Sequence, residues 1–280
     1  MKRKLALLLA GTMMASMVLA GCGNKAGTSK EDTKTEEPAE DSGDKTTFTV
    51  GFDAEYPPYG YMDDNGEYTG FDLELAEAVC NLEGWELVKK PINWGSKDME
   101  LNSGSIDCIW NGFTMNGRED EYTFSTPYVD NSQVIVVAEN SGINALKDLE
   151  GKTVGVQAAS AALTLLQTPE TEGGQKELAD TFGSLNEFAD YNTAFTELQA
   201  GALDALAIDI GVANYQIKSR GEGYTVLSET LNTEQYAIGF KKGNQELCDI
   251  VNADLEKLTE DGTVAELAEK YDIADMVTLK

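Results

Sequence analysis

The four residues Val134-Ile135-Val136-Val137 follow one another with no polar side chain between them. A strand with one wet face alternates polar and apolar residues, so an unbroken β-branched run belongs in a sheet covered on both faces. Helices must then pack above and below that sheet, which restricts the chain to an α/β architecture. The flanking sequence supplies suitable units. Phe48, Val50 and Phe52 alternate as a strand and lead into a loop at Pro57-Pro58. Asn65-Gly66 between tyrosine-rich flanks predicts a hairpin turn. From Phe71, the apolar residues Leu75, Val79 and Leu82 recur at helical spacing, with Asp72 near the start and Gly84 just past the end. Further strands are predicted near 85–88, 107–111, 154–156 and 205–208, and helices near 97–102, 160–166, 194–200, 247–258 and 264–271.

Two heptapeptides share one form. Leu101-Asn102-Ser103-Gly104-Ser105-Ile106-Asp107 and Leu198-Gln199-Ala200-Gly201-Ala202-Leu203-Asp204 both read Leu, two residues, Gly, one residue, Ile or Leu, then Asp, and each leads into an apolar strand. Two lobes of like topology explain the repeat. Ligands in open α/β sheets bind beyond the carboxyl ends of strands, so the strand ends after Asp107 and Asp204 are expected to face each other across a cleft.

The residues at those ends can hold charges of both signs. After the first strand comes Asn111-Gly112-Phe113-Thr114-Met115-Asn116-Gly117-Arg118. Gly112 permits a close backbone approach, Thr114 offers a hydroxyl, and Arg118 offers a planar fork that matches a carboxylate. The competing reading of Arg118, which precedes Glu119 and Asp120, is a solvated surface ion pair. After the second strand, Asp209 can hold an ammonium. A carboxylate binder on one lobe and an ammonium binder on the other match an α-amino acid. Tyr56, within Asp53-Ala54-Glu55-Tyr56-Pro57-Pro58-Tyr59, and Trp94, between Asn93 and Gly95, are candidate stacking faces, and Asp53 can meet a polar side chain. Aromatic residues also serve as core, and that reading competes here.

Composition removes several classes. The chain has no histidine, which excludes His-dependent triads, His general bases and most zinc or copper sites. No cofactor and no metal is expected. There are 21 basic and 49 acidic side chains; without Lys2, Arg3 and Lys4 the balance is 18 against 49, a net of −31. Such a surface repels phosphate backbones and anionic lipid heads, so no nucleic-acid partner is expected. Cys80, Cys108 and Cys248 have no CxxC spacing and read as buried apolar residues, with one disulfide open and its pairing not deducible.

The first residues are not fold. Met1-Lys2-Arg3-Lys4, an apolar run from Leu5 to Leu19, and Leu19-Ala20-Gly21-Cys22 make a secretion signal. The run is too short and too polar to be a good membrane span. The tetrapeptide before the cut resembles the bacterial lipoprotein signal, which implies a signal peptide over 1–21 and acylation of Cys22. Residues 23–47 hold no large apolar side chain, so the segment from Cys22 to 46 is expected to be a flexible acidic tether.

Seven ordered segments resemble the polar amino acid solute-binding proteins of ABC importers. They are Gly51-Phe52-Asp53 with Tyr56-Pro57-Pro58, Gly70-Phe71-Asp72, Gly104-Ser105-Ile106-Asp107, Thr114 to Arg118, Phe124-Ser125-Thr126-Pro127-Tyr128, Asp148 to Val156, and Gly201 to Asp209. The resemblance covers nearly all of residues 48–280. It implies a two-lobed α/β, periplasmic-binding-protein-like (type II) fold with a hinge and an interlobe cleft. Lobe 1 is expected at 47–128 plus 237–280, lobe 2 at 133–232, and the hinge at 128–132 and 232–236.

The family pattern also assigns roles. Arg118 resembles the arginine that grips the ligand α-carboxylate, assisted by Thr114, the backbone at Gly112 and Ser160. Asp209 resembles the aspartate that holds the α-ammonium. Tyr56 and Trp94 resemble the aromatics that sandwich the ligand side chain, with Asp53 at its polar end; Asn111 and Ala161 complete the expected contacts. The loop between Thr114 and Arg118 is one position shorter than is usual in the family, and Ala159 stands where a glycine is usual. The implied function is binding and release of a polar L-amino acid by a lipid-anchored monomer outside the cytoplasmic membrane, which hands its ligand to an ABC permease. A cationic or amide side chain suits Asp53 and the aromatic pair; arginine, lysine, histidine, glutamine and cystine all stay open. A dehydratase-like enzyme on the same scaffold and a sensory or adhesive lipoprotein are the rival readings.

Overall fold

The computed structural model describes residues 45–221 and 223–280. The expected signal peptide, Cys22 and nearly all of the expected tether lie outside the described residues. The chain begins with β1 (Thr47–Phe52), then a small hairpin sheet of β2 (Glu55–Tyr56), β3 (Gly60–Met62) and β4 (Tyr68–Thr69). There follow α1 (Phe71–Glu83), β5 (Glu86–Pro91), α2 (Lys97–Asn102), β6 (Cys108–Ile109) and β7 (Tyr122–Phe124). A second group comprises β8 (Val129–Ala138), β9 (Thr153–Gln157), α3 (Ala161–Gln167), α4 (Lys176–Ala179), β10 (Ser184–Phe188), α5 (Tyr191–Gln199), β11 (Ala205–Asp209), α6 (Ile210–Arg220), β12 (Tyr224–Val226) and β13 (Asn232–Tyr236). The chain closes with β14 (Gly239–Lys241), α7 (Gln245–Glu260) and α8 (Thr263–Lys270).

Two larger sheets result. The first runs β5-β1-β6-β14-β7, with β1 parallel to β5 and β6 and with β14 antiparallel to β6 and β7. The second runs β10-β9-β11-β8-β12, with β13 also paired to β8. Each sheet is covered by its own helices, which is a two-lobed α/β fold. β8 and β13 lie antiparallel from Val129 opposite Tyr236 to Gln133 opposite Asn232, and they carry the chain out of the first sheet and back to it.

The apolar run sits where its composition requires. Val134, Ile135, Val136 and Val137 are all buried, but alternate residues go to different cores: Val134 and Val136 join the cluster that faces the first lobe, while Ile135 and Val137 join the outer cluster with Leu149, Val154 and Leu166. β11 divides the same way, Leu206 and Ile208 inward and Ala205 and Ala207 outward. This is the two-residue period of a strand that is apolar on both faces. Tyr59, Tyr128, Tyr191 and Tyr236, all fully buried, belong to the same inner cluster and bridge it to the first lobe's Phe48, Val50 and Phe52.

The repeated heptapeptide has one structural job in both lobes. In each copy the glycine takes a left-handed conformation, φ 76° at Gly104 and 75° at Gly201, which ends the preceding helix. Ile106 and Leu203 then press on Gly51 and Gly155 of the neighbouring strand; a Cβ at Gly155 would stand 2.5 Å from Leu203 Cδ1. The aspartates clamp that strand's start. Asp107 accepts from Thr49 N at 2.7 Å while its own N–H donates to Thr49 O at 2.8 Å, and Asp204 makes the same pair with Thr153 at 2.8 and 2.9 Å.

Local expectations hold with adjusted limits. α1 ends at Gly84, whose φ is 71°, and Asn65-Gly66 turns the hairpin, with Asp63 Oδ1 accepting from both Asn65 N and Glu67 N at 2.9 Å. The strand expected over 107–111 pairs only at Cys108–Ile109. Gly112, at φ 57°, bends the chain out of the sheet, and Asn111 Oδ1 instead accepts the N–H of Asp53 at 3.0 Å. Cys80, Cys108 and Cys248 are free and buried.

Candidate functional site

Where β6 and β11 end, the lobes meet around a narrow cleft whose water-accessible space is only about 10 Å³, lined by Tyr56, Trp94, Gly112, Thr114, Arg118, Gln157, Ser160, Ala161 and Asp209. Gly112 is a glycine for two reasons. Its φ is positive, and a Cβ would lie 2.9 Å from Tyr56 Cε1 and 3.0 Å from Tyr236 Cε2. Its N–H donates to Asp72 Oδ2 at 2.6 Å, so Gly112 can offer the cleft its carbonyl but no donor. This differs from the carboxylate-binding role expected of its backbone.

The first-lobe wall is cationic and aromatic. The Arg118 guanidinium stacks on buried Phe113, 4.9 Å from the ring centroid, and Nη1 donates to Thr114 O at 3.2 Å. The other guanidinium donors have no carboxylate within ion-pair distance among the described residues. Trp94 meets Phe113 edge-on at 5.8 Å. Lys97, which is 7% exposed, lies 5.2 Å from the Trp94 ring centroid and donates across the cleft to Ala159 O at 3.4 Å. Burial pushes the Lys97 ammonium below its ordinary range. Thr114 Oγ1 donates to Glu234 Oε1 at 2.8 Å, so its hydroxyl faces any ligand as an acceptor.

The second-lobe wall is acidic. Asp209 is 3% exposed and stands at the N-terminus of α6. Its Oδ1 accepts from Asn131 Nδ2 at 2.9 Å, Gln133 Nε2 at 2.6 Å and Tyr236 OH at 2.7 Å. Ser160 caps α3 by accepting Leu163 N at 3.1 Å, and Ala161 is the first residue of that helix. Ala159 adopts φ 56°, a left-handed conformation that explains why glycine is the usual residue there.

Eight of the expected site residues therefore line one cavity: Tyr56, Trp94, Gly112, Thr114, Arg118, Ser160, Ala161 and Asp209. Asp53 and Asn111 do not. Asp53 Oδ2 accepts from Gln157 Nε2 at 2.6 Å across the lobes, and Asn111 supports Asp53 from behind. Burial raises the Asp53 carboxyl, against the lowering effect of its bonds from Glu55 N and Gln157. Sequence reasoning missed Gln157, Asn131, Gln133 and Glu234. A signal existed: Asn131 and Gln133 are two residues apart and run into an apolar strand, which puts both amides on one face of that strand. Among the described residues no group of three or more His, Cys, Asp or Glu is placed to hold a metal ion.

A sequence profile of the bacterial extracellular solute-binding proteins, family 3, matches residues 48–273. The chain belongs to this family. The L-cystine-binding protein TcyJ of Escherichia coli (strain K12) is 30% identical over 236 residues, covering 83% of this chain and 85% of that protein. The arginine-binding extracellular protein ArtP of Bacillus subtilis (strain 168) is 29% identical over 275 residues, covering 97% and 98%. A crystal structure of an ABC uptake transporter substrate-binding protein from Streptococcus pneumoniae with bound histidine superposes with a TM-score of 0.77 at 34% identity, covering 83% of this chain and 94% of that one. The family 3 chain is thus an amino-acid-binding type of solute-binding protein of the kind ABC importers use. No helix among the described residues is long and apolar enough to cross a membrane.

Proposed function

We propose that this protein captures a polar L-amino acid with a cationic or amide side chain outside the cytoplasmic membrane and delivers it to a membrane permease by closing its lobes. The observation that supports this reading most is the pairing of Arg118 and Asp209 on opposite walls of one cavity. A zwitterion laid between them meets a guanidinium at its carboxylate and a carboxylate at its ammonium, and charge-assisted bonds of this type are roughly twice as strong as neutral ones. Arg118 grips the carboxylate with Ser160 assisting, Asp209 and the Gly112 carbonyl take the ammonium, and Tyr56 and Trp94 flank the side chain. Asp53 lies toward its polar end, held by Gln157 and Asn111. Relatives named for cystine, arginine and histidine support a ligand of this class.

Lobe 1 comprises 47–128 plus 237–280 and lobe 2 comprises 133–232, with bending at 128–132 and 232–236. The ligand loop is stitched to the second of these crossings, since Met115 N donates to Gln235 O and Ala237 N to Phe113 O, both at 3.0 Å. Ligand capture at Thr114 to Arg118 therefore pulls directly on a crossing strand. No bond is made or broken. The protein works as a monomer anchored through acylated Cys22, and palmitate labelling lost in Cys22→Ser tests the anchor.

A thermal-shift screen against the amino acids tests the reading, because a ligand at a hundred times its Kd stabilises by about 2.7 kcal/mol. In calorimetry Arg118→Ala should weaken binding of the ligand so identified by roughly 3–5 kcal/mol, the cost of a buried carboxylate left without its partner. Unchanged affinity would remove Arg118 from the site.

A further inference from the structure

Asp209 has a second carboxylate behind it. Glu234 on β13 is 6% exposed, and its Oε1 accepts from the two amides that also serve Asp209: Asn131 Nδ2 at 2.8 Å and Gln133 Nε2 at 2.8 Å. The register explains this sharing. β8 lies between β11 and β13, with Gln133 opposite Asp209 and Asn131 opposite Glu234, so each amide reaches its own partner and the diagonal one.

Among the described residues no cation pairs with either acid. From α5, Tyr191 OH lies 3.5 Å from Asp209 Oδ2; from β13, Tyr236 OH donates to Oδ1; and from the first lobe come the phenols of Tyr56 and Tyr59 and the hydroxyl of Thr114. Burial first, then the nearby acids, hold all four phenols protonated far above their ordinary range. Arg118 and Lys97 stand on the opposite wall, and neither is ion-paired to either acid among the described residues. On the far side of the crossing strands, Asp130 and Asp275 line a groove with Asn131 and Glu234. Two ionised carboxylates that share neutral donors and are almost fully buried repel each other, and one proton removes the conflict.

We propose that Glu234 is a working part of the ligand site: the Asp209–Glu234 pair holds one proton in the empty protein, and the ligand's ammonium displaces it to solvent. The proposal rests on the reading of Asp209 as the ammonium-binding residue. Glu234 is the member that gives up the proton, since burial and then the Asp209 charge raise its carboxyl, while Asp209 has the N-terminus of α6 beside it. Only the O–H bond of Glu234 breaks, and a cation replaces a cation. The groove behind the strands, with about 600 Å³ open to water, gives the proton a way out on the side away from the ligand. Glu234 acts through Asp209 and is a positioning residue. It favours ligands that bring a fixed ammonium and disfavours analogues that lack one.

Release of one proton makes Kd fall about tenfold per pH unit below the pair's upper titration and level off above it. The test is calorimetry on the full chain at pH 5.5 and pH 8 in two buffers of different ionisation enthalpy. The probe is whichever of L-arginine, L-lysine, L-glutamine, L-histidine and L-cystine binds. Close to one proton should leave per ligand at pH 5.5 and few at pH 8, and Glu234→Gln should abolish both the release and the pH slope. Binding with equal enthalpy in both buffers at pH 5.5 overturns the proposal and leaves the amino-acid reading standing. Release that persists in Glu234→Gln also overturns it, since the proton would then come from Asp53 or Asp72. If none of the five binds, both readings fall. Should Glu234→Gln not fold, the two-buffer titration of the native protein still decides.

Discussion

Ala159 is a residue under strain for a visible reason. At φ 56° its Cβ crowds its own backbone, while its carbonyl receives the Lys97 ammonium from the other lobe. A left-handed L-residue costs about 1–2 kcal/mol, and glycine returns part of that through its looser unfolded chain. Ala159→Gly should therefore stabilise the protein by about 1 kcal/mol in urea denaturation. A loss of stability would mean that the Ala159 methyl packs better than its backbone angle suggests. The same scale explains how the Arg118 guanidinium is held in place: Phe113 holds its plane, and one of its donors is anchored to Thr114 O. A lysine there would have neither the flat face nor the fork.

At the scale of elements, the two aspartate clamps join each helix–turn–strand unit to the neighbouring parallel strand of its own sheet, β6 to β1 and β11 to β9. Removing Asp107 or Asp204 leaves the N–H of Thr49 or Thr153 without its acceptor, at a cost of about 1–3 kcal/mol each. The clamps lie in different sheets and share no partner, so the double variant should lose close to the sum of the two. A large deviation from additivity in chemical denaturation would show that the lobes do not unfold independently of each other's clamps. β8 and β13 carry the polar network and connect the sheets, so under the proposed lobe closure they are the elements that bend.

For the whole molecule, buried acids set how stability responds to pH. Burial raises Asp72 from its ordinary 3.8 to about 7, against the lowering effect of its bonds from Gly112 N and Tyr128 OH. Asp53 and Glu234 are raised as well. A carboxyl raised in the folded state binds its proton more tightly there than in the unfolded chain, so its stabilising effect is complete below about pH 4 and is lost as pH rises through about 7. The excess of acidic side chains adds repulsion in the same direction. The ligand-free protein should therefore be more stable at pH 5 than at pH 8 in urea denaturation, and Asp72→Asn should flatten part of that slope. Equal stability at the two pH values would sink the argument. The ligand-binding slope inferred for Glu234 runs the opposite way, so stability and affinity are opposed in acid.

The sequence alone determined the α/β class, because a β-branched run without polar alternation needs cover on both faces. It also determined the repeat, since helix end, left-handed glycine, apolar plug and aspartate are contiguous in the chain. Family motifs brought most of the cleft within reach, Arg118 and Asp209 included. Only the tertiary structure decided that Asp53 turns to Gln157, that the Gly112 N–H is taken by Asp72, and that Glu234 stands behind Asp209. Each of these depends on partners far apart in sequence. Burial and shared donors arise from strand register and lobe packing, and no local pattern of residue types encodes them.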